Sequence, residues 1–130
     1  MRRVYFDSAA IVKLVHAERE SMALLQFLEA PVEAFTSIVS EVEVRRALRR
    51  SGCDPGDVDE ALGGFFVLAF HRDIRRRAAS LDPLTLRSLD AIHLATALSL
   101  GDPDLELATY DDRLAVAARA HGLRVVQPGR

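Results

Sequence analysis

The chain has 130 residues, 49% of them hydrophobic, a formal net charge of −2 and a single cysteine, Cys53. That length suits one compact domain over residues 1–130 with an ample core, and no run of about 18 apolar residues exists to form a transmembrane helix. One cysteine makes neither an internal disulfide nor a zinc site by itself, Asp7 and Lys13 break up the N-terminal apolar segment as a signal peptide, and the near-neutral charge announces no general affinity for nucleic acid; a reducing cytoplasm is the expected setting.

In chain order, "RVYF" (3–6) is a short β-rich run that stops at Asp7. Ser8 reads as the N-cap of a helix through "AAIVKLVHA", and "ESMALLQFLEA" (20–30) as a second helix ended by Pro31. "EAFT" (33–36) predicts a second strand, after which Ser37 caps a third helix, "IVSEVEVRRALRR" (38–50), closed by Gly52. "DPGDVDEAL" (54–62) turns into a short helix, and "FFVLAF" (65–70), apolar and bounded by glycines and charges, predicts a buried strand. A helix over "IRRRAASL" (74–81) and the loop "DPLT" (82–85) lead to the long apolar helix of "RSLDAIHLATAL" (87–98). "LELAT" (105–109) and "LRVV" (123–126) predict strands on either side of a helix over "DRLAVAARAHG" (112–122). This alternation with short connections predicts an α/β domain, a central and mainly parallel sheet with helices on both faces.

Open parallel sheets bind ligands at the carboxyl ends of their strands, at the switch point of the topology. Asp7 ends the first strand and Asp111 follows "LELAT" by two residues, so the two carboxylates share a crevice if those strands are neighbours. Each of them, and Asp112 as well, is equally explained as an acid at a helix N-terminus. On the third helix Glu41 stands one turn before Arg45, a surface pair worth about 0.2–0.5 kcal/mol. Glu43 lies closer to the inward stripe of Val39 and Ala47, though within reach of Arg46. Asp90 is ringed by apolar neighbours. With Ser88 as cap it falls in the first helical turn, where the dipole contributes roughly 0.3–1 kcal/mol, small beside the several kcal/mol of an unrelieved buried charge. His93 shares the face of Asp90 and reads as a packing or supporting residue able to hydrogen-bond it rather than as a metal ligand. Four carboxylates about 5 Å apart, at an effective dielectric near 20, would repel by roughly 3 kcal/mol per pair. Such a cluster requires raised pKa values or bound cations. An all-oxygen site suits Mg²⁺ or Mn²⁺, and its natural chemistry is phosphodiester hydrolysis.

Lys13 is the only lysine among 17 basic residues, and the arginines cluster in "RRALRR" (45–50) and "RDIRRR" (72–77). A solvated helix face is the first reading of both clusters. Contact of Arg45, Arg46, Arg49 and Arg50 with phosphates or an acidic partner is the alternative, given Glu43 beside them.

Four segments, "VYFDSAAIVKL" (4–14), "SEVEVRRAL" (40–48), "LDAIHLATAL" (89–98) and "LATYDDRLAVAARAHGLRVV" (107–126), together resemble a PIN-domain ribonuclease, and most of all the VapC toxins of type II toxin–antitoxin pairs. The resemblance spans nearly the whole chain in order and spacing; over 52–86 it extends only to the pattern of elements. It implies a three-layer PIN-like fold and Mg²⁺- or Mn²⁺-dependent endonucleolytic cleavage of RNA. By position it gives Asp7, Glu43, Asp90 and Asp111 the role of catalytic, metal-holding acids, favours Glu43 over Glu41, and makes Ser8 and Thr109 supporting hydroxyls. Asp112 is an accessory acid or an alternative to Asp111. The resemblance also implies a homodimer and a cognate antitoxin protein that covers the site.

A stand-alone RNA-processing PIN nuclease and a non-catalytic PIN-like binding module are the alternatives, the second opposed by the presence of all four acids. Dehalogenase-type phosphatases want a second Asp where Ala9 stands, and response-regulator receivers want a late lysine where the only lysine is Lys13. "HRD" (71–73) matches a kinase catalytic loop in letters only, since the chain has no Gly-rich phosphate loop and no room for a kinase.

Overall fold

The computed structural model describes all residues, 1–130. In β1 (Arg2–Phe6), Val4 and Phe6 face one side of the sheet and Tyr5 the other, and all three are fully buried. The period of two is that of a strand, and burial on both sides is that of a central strand in a parallel sheet. β2 (Val32–Ser37), β3 (Phe65–Leu68), β4 (Glu106–Ala108) and β5 (Arg124–Val126) complete one five-stranded sheet, parallel throughout, in the order β3-β2-β1-β4-β5.

Helices cover both faces. α1 (Ser8–Val15), α2 (Ser21–Phe27), α3 (Ile38–Arg50) and α4 (Pro55–Gly63) pack Ile11, Leu24, Val44, Leu48, Val58 and Leu62 against Val4, Phe6, Ala34 and Ala108. α5 (Arg72–Ser80), α6 (Ser88–Leu98) and α7 (Asp112–Ala120) pack Ile74, Leu94 and Leu114 against Tyr5, Phe35 and Leu107 on the other side. The expected three-layer α/β class is the observed one. No helix is long and apolar enough to cross a membrane.

The chain builds outward from β1 through β2 to β3, then returns to set β4 on the other flank of β1, with Phe6 in register with Ala108. The switch point therefore lies between β1 and β4. That is the neighbour relation which brings Asp7 and Asp111 to one crevice.

Three local expectations are corrected. Asp7, not Ser8, caps α1, its carboxylate accepting the Ala10 N–H at 2.9 Å, and Ser8 is the first helical residue. Carboxylate and hydroxyl are both good caps, and here the strand ends one residue too early for Ser8 to serve. Arg87, not Ser88, stands at the N-cap of α6 and makes no side-chain capping bond. "FFVLAF" is not a buried strand: β3 stops at Leu68 and pairs only with β2, and as the sheet's edge it leaves Phe66 55% exposed. Ser37 does cap α3, and Gly52 does close it at φ +74°, donating to the Arg49 carbonyl.

Leu107 is fully buried on the three-residue β4, the strand that leads to Asp111. Leu107→Ala is expected to lower the unfolding free energy in urea by about 2–5 kcal/mol, whereas Val116→Ala on the exposed side of α7 should change it by less than about 0.5 kcal/mol. Equal effects from the two would contradict the placement of this core.

Candidate functional site

The site lies where β1 and β4 end. Asp7 is 5% exposed and both of its oxygens are taken: Oδ1 by the Ala10 N–H and Oδ2 by the Thr109 hydroxyl. Thr109, fully buried just past β4, also accepts the Asp111 N–H at 3.1 Å through Oγ1. One hydroxyl thus ties the loop after β4 to the end of β1. Asp111 caps α7, its Oδ1 accepting from the N–H groups of Arg113 (2.9 Å) and Leu114 (3.2 Å). Asp90 is half-buried in the first turn of α6. The apolar ring expected around it is open, because Leu89 beside it is 46% exposed.

Burial raises the carboxyl pKa of Asp7 above the usual range; the bonds from Thr109 and Ala10 and the nearby His93 pull it back, and Asp111 pushes it further up. The Asp90 carboxyl is raised in the same direction, first by burial and then by Asp111 and Asp7, against His93 and Arg87. Asp7, Asp90 and Asp111 therefore lie in one electrostatic neighbourhood. Asp112 does not share it: its side chain is 85% exposed and pairs with Arg130 at 3.3 Å. Of the two adjacent acids, Asp111 is the one brought against Asp7 and Asp90.

Glu43 joins the group through an intermediary. Its side chain is 25% exposed, and Oε1 lies 3.1 Å from Nε2 of His93. The sequence suggested that His93 could bond Asp90 and that Glu43 could pair with Arg46; instead the two bond each other. The Glu41–Arg45 pair does form, at 3.4 Å, and Asp59 also binds Arg45 at 2.7 Å. Ser8, Glu43, Lys13, Arg46 and Arg50 line a cleft of about 500 Å³ between α1 and α3. Lys13 is occupied there by Glu20 at 2.9 Å and Glu18 at 3.5 Å, whereas Arg46 and Arg50 have no carboxylate partner.

As the side chains stand, no three carboxylate, imidazole or thiol groups meet closely enough to hold a metal ion between them. Both oxygens of Asp7 and one each of Asp111 and Glu43 are engaged instead, by Ala10, Thr109, Arg113, Leu114 and His93. The donor set itself fits a hard divalent cation. It is all oxygen, it stands at the switch-point crevice, and two of its acids are raised first by burial and then by neighbouring carboxylates, both of which a bound cation would offset.

Two supports of the site are absent from the sequence reading. The first is the Tyr5–His93–Glu43 chain of hydrogen bonds, whose ends are 88 and 50 residues from His93, beyond any local pattern. The second braces Tyr110, between Thr109 and Asp111. Its hydroxyl donates to the Pro128 carbonyl at 2.8 Å, Lys13 and Arg130 lie over its ring at 4.9 and 5.6 Å, and burial pushes its pKa up to about 12.

Residues 4–120 match the PIN domain family. Ribonuclease VapC46 of Mycobacterium tuberculosis (strain ATCC 25618 / H37Rv) is 40% identical over 129 residues, covering 98% of this chain and 99% of its own. Ribonuclease VapC35 of Mycobacterium tuberculosis is 41% identical over 133 residues, covering 98% of both. Among solved structures, a toxin–antitoxin complex from Klebsiella pneumoniae superposes with a TM-score of 0.75 at 29% identity, covering 96% of this chain and 97% of that one. Mycobacterium tuberculosis VapC20, a sarcin-ricin loop cleaving toxin, superposes with the same TM-score of 0.75 at 17% identity over 96% and 99%, a likeness of fold alone. At that identity over nearly the full length of both chains, this protein belongs to the PIN-domain family, within its VapC ribonuclease branch.

Proposed function

We propose that this protein is an endoribonuclease that hydrolyses RNA phosphodiester bonds with a divalent cation, Mg²⁺ or Mn²⁺. We read its 130 residues as one nuclease domain working in the cytoplasm as the toxin of a toxin–antitoxin pair, a homodimer restrained by a cognate antitoxin. The observation that carries the reading is the gathering of Asp7, Asp90 and Asp111 at the β1–β4 switch point, with Asp7 and Asp90 raised by burial and by neighbouring carboxylates. The relatives named as ribonucleases and the toxin–antitoxin complex of the same fold support it.

Asp7, Glu43, Asp90 and Asp111 are the residues that would hold the cation. When bound, it supplies activation of a water molecule and relief of negative charge at the phosphate. The protein's own part is positional. Thr109 and the Ala10 N–H fix the Asp7 carboxylate, and Thr109 holds the backbone of Asp111. Asp90, half-buried in the first turn of α6 and with no hydrogen-bond partner in the protein, is the carboxylate free to orient the attacking water. Arg46 and Arg50, on the cleft beside Ser8 and Glu43, are placed to seat flanking phosphates by paired N–H bonds, while Arg45 is held away by Glu41 and Asp59.

With Mg²⁺ or Mn²⁺ the purified protein should cleave RNA, EDTA should stop it, and Asp90→Asn should lower the rate by about 100-fold or more with an unchanged circular dichroism spectrum. Cleavage that survives EDTA, or an unaffected Asp90→Asn protein, would remove the cation or Asp90 from the reaction.

Asp7 also makes a stability prediction. A carboxyl raised on folding binds protons more readily in the folded chain, so stability falls as pH climbs from the unfolded value, about 3.9, through the folded one. Asn retains an oxygen for the Ala10 N–H, can donate its amide N–H to the Thr109 hydroxyl where Asp7 accepts from it, and carries no charge. Asp7→Asn should therefore melt higher at pH 7, by about 3–5 °C for each kcal/mol relieved, and the gain should shrink toward pH 3. Calorimetry at both pH values checks this; a lower melting point at pH 7 would refute it.

A further inference from the structure

His93 is 2% exposed on α6, three residues after Asp90. Its Nδ1 lies 2.9 Å from the Tyr5 hydroxyl and its Nε2 lies 3.1 Å from Oε1 of Glu43, so one ring joins β1, α6 and α3. The Tyr5 and His93 rings meet edge-on, with centroids 5.9 Å apart and planes at 64°.

The direction of these bonds follows from valence. A neutral imidazole donates from one nitrogen and accepts at the other, and a carboxylate only accepts. Because the carboxylate only accepts, a ring proton sits on Nε2 and points at Glu43, and in the neutral ring Nδ1 accepts the Tyr5 O–H. Tyr5 is fully buried, which drives its phenol far above the ordinary pKa and keeps it a donor. Glu43, which only accepts, thus sets the tautomer, and Tyr5 fixes the tilt of the ring. Histidine held this way is a common means of orienting a functional neighbour.

Glu43 needs such a hold. It sits mid-helix with a long side chain at the mouth of a cleft, and neither Arg46 nor Arg50 binds it. His93 takes Oε1, while Oε2 makes no hydrogen bond within the protein. We propose that His93 is a positioning residue that, anchored by Tyr5, fixes one oxygen of Glu43 so that the other is presented to the cation at the acid cluster. The inference rests on the metal-site reading of that cluster. A ring that merely filled the core would require packing but no donor aimed at a partly exposed acid.

The test is Mn²⁺ titration calorimetry on the purified wild-type protein and on Tyr5→Phe, His93→Leu and His93→Gln, with thermal melting to establish folding. His93→Leu should weaken Mn²⁺ binding by about 10–100-fold. His93→Gln, whose side-chain amide can still donate an N–H to Glu43, should recover most of that loss although it disturbs the core packing comparably. Tyr5→Phe keeps the imidazole but removes the bond that holds its tilt, and should weaken binding by less than His93→Leu. A folded His93→Leu protein that binds Mn²⁺ like wild type, or Leu and Gln variants that bind equally, would overturn the proposal. If His93→Leu does not fold, wild-type affinity in Tyr5→Phe overturns it. Failure of the wild type itself to bind Mn²⁺ is a separate pattern, which removes the metal-site reading and the positioning role with it.

Discussion

The Thr109 hydroxyl holds the candidate site together. It donates to Asp7 and accepts from the backbone N–H of Asp111, so it bonds the end of β1 to the loop that starts α7. A hydroxyl can do both at once because it is one donor and two acceptors. Valine in its place would keep the shape and break both bonds. The hydroxyl is fully buried, so water does not compete for it, and unmet polar groups there would be costly. The parallel pairing of β1 with β4 brings the two segments alongside; Thr109 sets their spacing.

The same geometry explains how several acids coexist in one small crevice. Asp7 and Asp111 each cap a helix, and Asp90 lies in the first turn of another, so three helix N-termini face the site. Each N-terminus carries about half a positive charge, which favours a carboxylate by roughly 0.3–1 kcal/mol. The structural explanation of each acid and the functional one are therefore not rivals: the caps are how the fold tolerates the cluster. Toleration is incomplete. Asp7 and Asp90 remain raised, first by burial and then by neighbouring carboxylates, and a cation would offset both.

Most of the fold was legible because its signals are local. The β-rich run "RVYF", Ser37 before an amphipathic run, and Gly52 after it are each sufficient over a few residues. What failed depended on distant parts of the chain. "FFVLAF" has the composition of a buried strand, yet burial of a strand depends on having neighbours on both sides, and β3 has one. Ser8 and Ser88 are good capping residues, but the strand end and the loop 82–87 fix where the helices begin. In the site, the acids could be picked out because they break apolar patterns or follow strands. Choosing Asp111 over Asp112 required the turn itself, which directs one side chain to the crevice and leaves the other 85% exposed. His93 looked like a helper of Asp90, three residues away; its partners lie on β1 and α3, which only the folded chain brings near.

α3 shows how one helix serves three needs by spacing alone. Val44 and Leu48, four apart, are fully buried and lock the helix to the sheet. Glu41 and Arg45, also four apart, face outward and meet Asp59 of α4, so this arginine is spent on a surface pair. Glu43, Arg46, Ala47 and Arg50 follow the three-and-four spacing of a third stripe, and all four line the cleft that Ser8 of α1 closes from the other side. Seven residues of helix span about 10 Å, so the acid sits at one end of this row and a cation without a carboxylate partner at the other. Rigid attachment through Val44 and Leu48 makes that separation a fixed property of the site. The two readings of "RRALRR" therefore divide along the helix: Arg45 belongs to a solvated face, and Arg46 and Arg50 belong to the crevice.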